Sequence, residues 1–183
     1  MTESKNTKGF TVWFTGLPCS GKTTVAILVE KKLKDKGYLV ERLDGDIIRQ
    51  SLTKDLGFSK EDRDKNIERV IFIAKLLSRN GIATLVSFVS PYRAKRNQAR
   101  QETTNFVEVF LKCRLEICEK RDIKGMYEKA RKGEIKNFTG ISDPYEEPLN
   151  PEVILETDKE TPEQSAGKVI EKLQLLGLVG KYH

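Results

Sequence analysis

The stretch GLPCSGKT, Gly16 to Thr23, offers chemistry before any fold is assumed. Its spacing is G-x-x-x-x-G-K-[ST], it follows the apolar run FTVWF, and it opens onto TVAILVEKKLKDKG. Backbone N–H groups can converge on an anion only where side chains leave the approach open, and Gly16 and Gly21 do so. Lys22 then reaches terminal phosphates as a point charge. Thr23 offers its hydroxyl to Mg²⁺, and the helix starting there turns its positive end to the same place. The cradle is therefore Gly16, Leu17, Pro18, Cys19, Ser20, Gly21, Lys22, Thr23 and Thr24, and its expected occupant is ATP with Mg²⁺. The plain alternative is a glycine turn before an ordinary helix.

A second cluster is DGD, Asp44 to Asp46, at the end of an apolar run. Two carboxylates around a glycine could hold Mg²⁺, accept a hydroxyl proton, or merely cap the next helix. The run TLVSFVS ends in Ser90 where a switch GTPase or motor ATPase would place an acid, and no N-K-x-D guanine signature is present. The only histidine is His183, which excludes histidine triads and two-histidine metal sites. Cys19, Cys113 and Cys118 match neither a zinc site nor a C-x-x-C redox pair, so reduced thiols in a cytoplasmic protein are expected.

Elements that could position these groups follow from periodicity. Strand-like runs lie at 10–15, 38–43, 82–89, 106–112 and 152–157, separated by amphipathic stretches at Lys22–Lys36, Arg63–Arg79 and Pro162–Leu176. Strands alternating with helices predict a three-layer α/β fold around a parallel sheet, with the phosphate loop outside the carboxyl ends of the strands. At 183 residues, 38% apolar and 33% charged, one domain (1–183) is expected. The polar start, MTESKNTKG, has no apolar leader and no later run could cross a bilayer. The net charge of +6 suits an anionic partner. One segment, Arg121 to Pro151, breaks the alternation: rich in lysine, glycine and proline, with few apolar residues to bury, it predicts a mobile basic lid.

Taken together, DGDIIRQSLTKDLGFSKEDRDKNIERV, SFVSPYRAKR, CEKRDIKGMYEKARKGEIKNFTGISDPYEEP and the phosphate loop resemble the adenylylsulfate kinase (APS kinase) family, in the family's order, from Gly9 to roughly Pro162. The resemblance implies a nucleotide-kinase-like P-loop NTPase fold. It also implies transfer of the γ-phosphoryl group of ATP to the 3′-hydroxyl of adenylyl sulfate. By the same resemblance Arg49, Arg63 and Asn66 grip the anionic part and ribose of the acceptor, Phe58 and Phe138 sandwich its adenine, and Asp46, supported by Asp44, lies nearest the 3′-hydroxyl as proton acceptor or Mg²⁺ ligand. On their own, the two phenylalanines read as core. Ser90 matches a serine once treated as a phosphoserine intermediate; with no histidine to activate it, a hydrogen bond to substrate is the expectation. Arg121 is placed over the adenine of ATP and Lys124 near the acceptor, within a lid of roughly 121–141.

Family members are often dimers and in some organisms are fused to ATP sulfurylase. A homodimer and that fusion or association are therefore the implied assemblies, without nucleic acid or membrane. Pro18, Cys19, Ile47 and Ile123 depart from the family's usual residues, yet none removes a charge or a required glycine. Competing readings are another small-molecule or nucleotide kinase of this fold, or a non-catalytic ATP-binding protein that regulates or binds nucleic acid.

Overall fold

The computed structural model describes residues 8–180; His183 and the first seven residues lie outside them. Five strands, β1 (Phe10–Thr15), β2 (Val40–Asp44), β3 (Ala83–Ser87), β4 (Phe106–Lys112) and β5 (Val153–Glu156), form one parallel sheet in the order β2-β3-β1-β4-β5. Seven helices accompany it: α1 (Lys22–Asp35), α2 (Gly45–Gln50), α3 (Lys60–Arg79), α4 (Arg93–Glu102), α5 (Leu115–Lys120), α6 (Met126–Arg131) and α7 (Pro162–Leu175).

β1 is central, and its alternation divides the core. Phe10, Val12 and Phe14 pack with α1 and α7 on one face, while Trp13 joins Ile67, Val70 and Ile71 of α3 on the other. A strand covered on both faces reads as an apolar run, which is why FTVWF carries no polar stripe. The expected three-layer α/β architecture is what forms.

Boundaries differ from the periodic reading where caps intervene. α3 begins at Lys60 rather than Arg63, because the Ser59 hydroxyl accepts the Asp62 amide and starts the helix a turn earlier. α7 starts on a full capping box, Thr161 with Gln164, and Pro162 in its first turn. The 121–151 segment was expected to bury little, and that expectation is corrected. Tyr127 and Ala130 of α6 and Phe138 form a buried cluster with Cys113 and Cys118, the two rings meeting edge-on at 4.9 Å.

The chain's described ends share one side of the sheet. The Gly9 carbonyl, just before β1, accepts from Asn105 Nδ2, just before β4, and the Gly180 amide donates to the Tyr38 hydroxyl, just before β2. Every loop discussed below lies at the opposite, carboxyl-terminal rim.

Candidate active site

The phosphate loop leaves β1 at Thr15 and closes on α1. A β-carbon on Gly16 would stand 2.7 Å from the Leu111 carbonyl oxygen and 2.8 Å from Ser20 Oγ, so only glycine fits. Gly21, with φ of 95°, takes the left-handed conformation that turns the chain into α1. Inside this turn Lys22 is buried, its Nζ donating to the carbonyls of Gly16 (3.0 Å) and Leu17 (2.7 Å). Burial lowers its pKa to about 8, opposed by nearby Cys118, Cys19, Asp44 and Asp46.

Other contacts hold the loop from outside. Tyr127 donates its hydroxyl to the Pro18 carbonyl at 2.9 Å, and Thr157 donates to the Ser20 carbonyl at 2.9 Å. Leu17 and Cys19 pack against the Tyr127–Phe138 cluster, and burial pushes the Cys19 thiol pKa up, so it is no reactive thiolate.

Beside the loop, Thr23 Oγ1 donates to Asp44 Oδ2 at 2.8 Å. Asp44 is buried, also receives Arg42 Nη1 at 3.3 Å, and caps α2 by accepting the Asp46 amide at 3.0 Å. The two aspartates therefore have different surroundings. Asp46 is largely exposed and pairs with Lys124 Nζ at 3.1 Å, reaching across to the segment after α5. Thr23, grouped with Asp46 as a metal ligand from sequence, touches Asp44 instead.

A cavity of about 600 Å³ opens in front of the loop, lined by Lys22, Thr23, Thr24, Arg121, Thr157 and Glu160 among others. Arg121 is a fixed wall: its Nη2 donates to the Thr157 carbonyl at 2.7 Å, and Nη1 lies 3.7 Å from Cys113 Sγ. On the other side of Asp46, Arg49 lies over the Phe58 ring at 4.4 Å and donates to the Gly57 carbonyl at 3.1 Å. Arg63 donates to the Phe58 carbonyl (3.0 Å), the Thr139 hydroxyl (2.9 Å) and the Asn137 carbonyl, so one guanidinium ties the Phe58 loop to the Phe138 segment. Burial, and after it the neighbouring Arg63 charge, holds the Arg49 pKa below its ordinary value, and an anion there would offset both by favouring the charged form. Phe58 is exposed (54%) and Phe138 buried (8%), which splits two residues read alike from sequence. Asn66 is buried, with Oδ1 lacking a partner.

Ser90 lies inside the protein, in the turn that follows β3. It is buried at φ 40°, its Oγ accepts Trp13 Nε1 at 3.0 Å, and Thr15 Oγ1 lies 3.2 Å away. Arg42, Tyr127, Thr139 and Thr157 were missed by sequence reasoning. Only Arg42 left a signal, two residues before Asp44 and hence on the same face of β2.

A phosphate loop after the central strand of a parallel sheet, a buried lysine within it and a carboxylate turn on the next strand but one define a P-loop kinase. The comparisons with known proteins sharpen that class. The family model described as Adenylylsulphate kinase matches residues 8–156, and the chain belongs to this family. An adenylyl-sulfate kinase of Halothermothrix orenii is 63% identical over 96% of this chain and 95% of its own. A solved structure of Mycobacterium tuberculosis APS kinase CysC, in complex with AMPPNP and APS, superposes with a TM-score of 0.87 at 46% identity, covering 91% of this chain and 98% of that one. A probable bifunctional SAT/APS kinase of Sorangium cellulosum is 51% identical over 93% of this chain but only 29% of its own length. Among the described residues no helix is long and apolar enough to cross a membrane.

Proposed function

We propose that this chain phosphorylates the 3′-hydroxyl of adenylyl sulfate with ATP, giving 3′-phosphoadenylyl sulfate and ADP. The observation that carries the reading is one carboxylate turn set between two cationic sites: the Lys22 cradle on one side and the Arg49–Phe58–Arg63 face on the other. Membership of the adenylylsulphate kinase family supplies the acceptor's identity.

Each side chain has a task in this scheme. Lys22 turns from the Gly16 and Leu17 carbonyls to the β,γ-phosphates, and the cavity wall at Arg121 receives the adenine of ATP. Arg49 and Arg63 neutralise the phosphosulfate, Phe58 stacks on the acceptor's base, and Asn66 Oδ1, unpartnered inside the protein, accepts from the ribose. Phe138, packed on Tyr127, backs that pocket from beneath. The acceptor oxygen attacks the γ-phosphorus in line, the bond to the β,γ-bridging oxygen breaks, and ADP leaves. The hydroxyl proton passes to the Asp46 carboxylate, which stands exposed on its turn beside Lys124. Ser90, already bonded to Trp13 and Thr15, acts structurally and forms no phosphoenzyme.

The donor set fits Mg²⁺. The Thr23 hydroxyl and Asp44 carboxylate are adjacent hard oxygens, the ligand type that Mg²⁺ takes alongside phosphate oxygens and water. Bound there, Mg²⁺ would neutralise charge on the transferring phosphoryl group. Segment 121–141, tethered by Lys124–Asp46, would act as a lid that excludes competing water. We extend the proposal to one domain over 1–183, a homodimer, association with a sulfurylase in some settings, and a cytoplasmic location, which suits three unpaired cysteines.

The test is a coupled assay for ADP with ATP, Mg²⁺ and adenylyl sulfate, run in parallel with AMP, CMP, gluconate and shikimate. Turnover is expected only with adenylyl sulfate. A folded sample that ignores it, or prefers another acceptor, would refute the reading.

A further inference from the structure

Behind the cleft lies a buried polar hub with no part in the scheme above. At its centre is Arg96 of α4, 2% exposed. Its Nε donates to Glu108 Oε1 of β4 at 2.8 Å, and its two terminal nitrogens donate to the carbonyls of Ser90 and Glu146. The guanidinium also lies 5.6 Å from the centroid of the Tyr145 ring. One planar fork thus joins the strand β4, the turn after β3 and the strap 143–147.

Both substrate sites lean on what it joins. On the donor side, the Tyr145 hydroxyl is 2.8 Å from Thr15 Oγ1, the residue from which the phosphate loop departs, and Thr15 in turn donates to the Val89 carbonyl at 2.8 Å. On the acceptor side, Phe88 of the same turn underlies the carboxylate turn: a β-carbon at Gly45, between Asp44 and Asp46, would touch its ring at 3.4 Å. The turn is not relaxed, since Ser90 sits at φ 40°, a left-handed value that a non-glycine residue keeps only when its surroundings impose it. Trp13 fixes its hydroxyl and Arg96 its carbonyl.

We infer that Arg96 is a positioning residue for the reaction: through Ser90 and Tyr145 it fixes how far the phosphate loop stands from the Asp44–Asp46 turn. The inference rests on the proposed function and adds a residue to it. Transfer between two bound substrates depends on the reacting oxygen and phosphorus being aligned to within about 1 Å, so a small slip between the two sites costs rate without costing binding. Lysine cannot replace the fork, because a single ammonium cannot span the Glu108 carboxylate and two diverging carbonyls.

The neighbouring pair provides a control. Arg100 makes two bonds to Glu152, at 2.6 and 2.9 Å, in the same charge network but touches neither the turn nor the strap. Arg96→Lys and Tyr145→Phe are compared with Arg100→Gln by thermal melting, steady-state kinetics for both substrates, and the ratio of ADP released to acceptor phosphorylated. Arg96→Lys is expected to lower kcat by about tenfold or more, with both KM values within about twofold and a ratio above one, as misaligned γ-phosphate is lost to water. Tyr145→Phe, which keeps the ring stacked on Phe110 and loses only the hydroxyl, should change in the same direction by about threefold. Arg100→Gln should lower the melting temperature and leave kcat and the ratio unchanged.

Wild-type kcat and a one-to-one ratio in Tyr145→Phe and in any folded Arg96→Lys would overturn the inference. So would an equal loss of kcat in Arg100→Gln. Should Arg96→Lys fail to fold, Tyr145→Phe decides alone. A wild-type protein inert towards adenylyl sulfate would instead remove the proposed function, and this inference with it.

Discussion

Lys22 has a titration that nucleotide binding should reveal. Its ammonium sits in a dry turn with only two carbonyls for partners, and its pKa falls from 10.5 to about 8. That difference corresponds to about 3 kcal/mol against the charged form. A triphosphate placed against Nζ reverses the balance, because an adjacent anion favours the ammonium. At pH 8 half the protein molecules must then gain a proton on binding ATP, an uptake of about 0.5 proton. Phosphate ionises near pH 6 and contributes little there. Between pH 7 and pH 9 the affinity should fall about tenfold, as the protonated fraction falls from about nine-tenths to about one-tenth. Calorimetry at pH 8 in buffers of different ionisation enthalpy measures the uptake directly, and Lys22→Met should bind weakly with no uptake. The same linkage fixes a stability trend. Between pH 8 and 10.5 the unfolded chain holds the extra proton, so the penalty is full below pH 8 and gone above 10.5. Lys22→Met should accordingly stabilise the protein against wild type more at pH 7 than at pH 10. An affinity equal at pH 7 and 9, or an uptake that survives in Lys22→Met, would refute the reasoning.

Other substitutions separate roles that the geometry keeps apart. Asp46→Asn should reduce kcat by about a hundredfold while barely moving the melting temperature, since its pairing with Lys124 is exposed on both sides. Asp44→Ala should lose activity and also about 1 kcal/mol of stability through the cap on α2, read by urea denaturation. Phe58→Ala should raise KM for adenylyl sulfate by about tenfold at unchanged stability, the loss of one base-stacking surface. Phe138→Ala, by contrast, empties part of the Tyr127 cluster and should cost about 3–5 kcal/mol in the same denaturation experiment. Gly16→Ala should melt at lower temperature and lose ATP binding, because the new methyl group meets a main-chain carbonyl at 2.7 Å.

Legibility in the sequence followed local rules. The phosphate loop was readable because cradle, lysine and hydroxyl are consecutive, and the five strands because apolar runs alternate with helix-period stretches. Phe58 and Phe138 looked identical because exposure is a tertiary property: one ring is held out over Arg49 and the other drawn under Tyr127. α2 and α6 are six residues each, too short for a 3.6-residue period to show. The basic segment hid its apolar cluster because its two rings, Tyr127 and Phe138, lie eleven residues apart, with partners at Cys113 and Cys118 on the far side of Arg121. Arg96 was invisible in RAKRNQARQE, a helix with almost no apolar stripe. A clue did exist in FVEVFLK: a glutamate inside a strand buried on both faces needs a cation, and Glu108 finds two, Arg96 and Arg100.

Gly9 and Gly180 lie at the rim of the sheet where strands begin, whereas nucleotides would come and go where strands finish. A passenger module spliced at either glycine would therefore stand behind the catalytic mouth, clear of traffic through it. Such an arrangement suits a scaffold that can serve as a free-standing catalyst or be stitched to a neighbour without redesigning its working face.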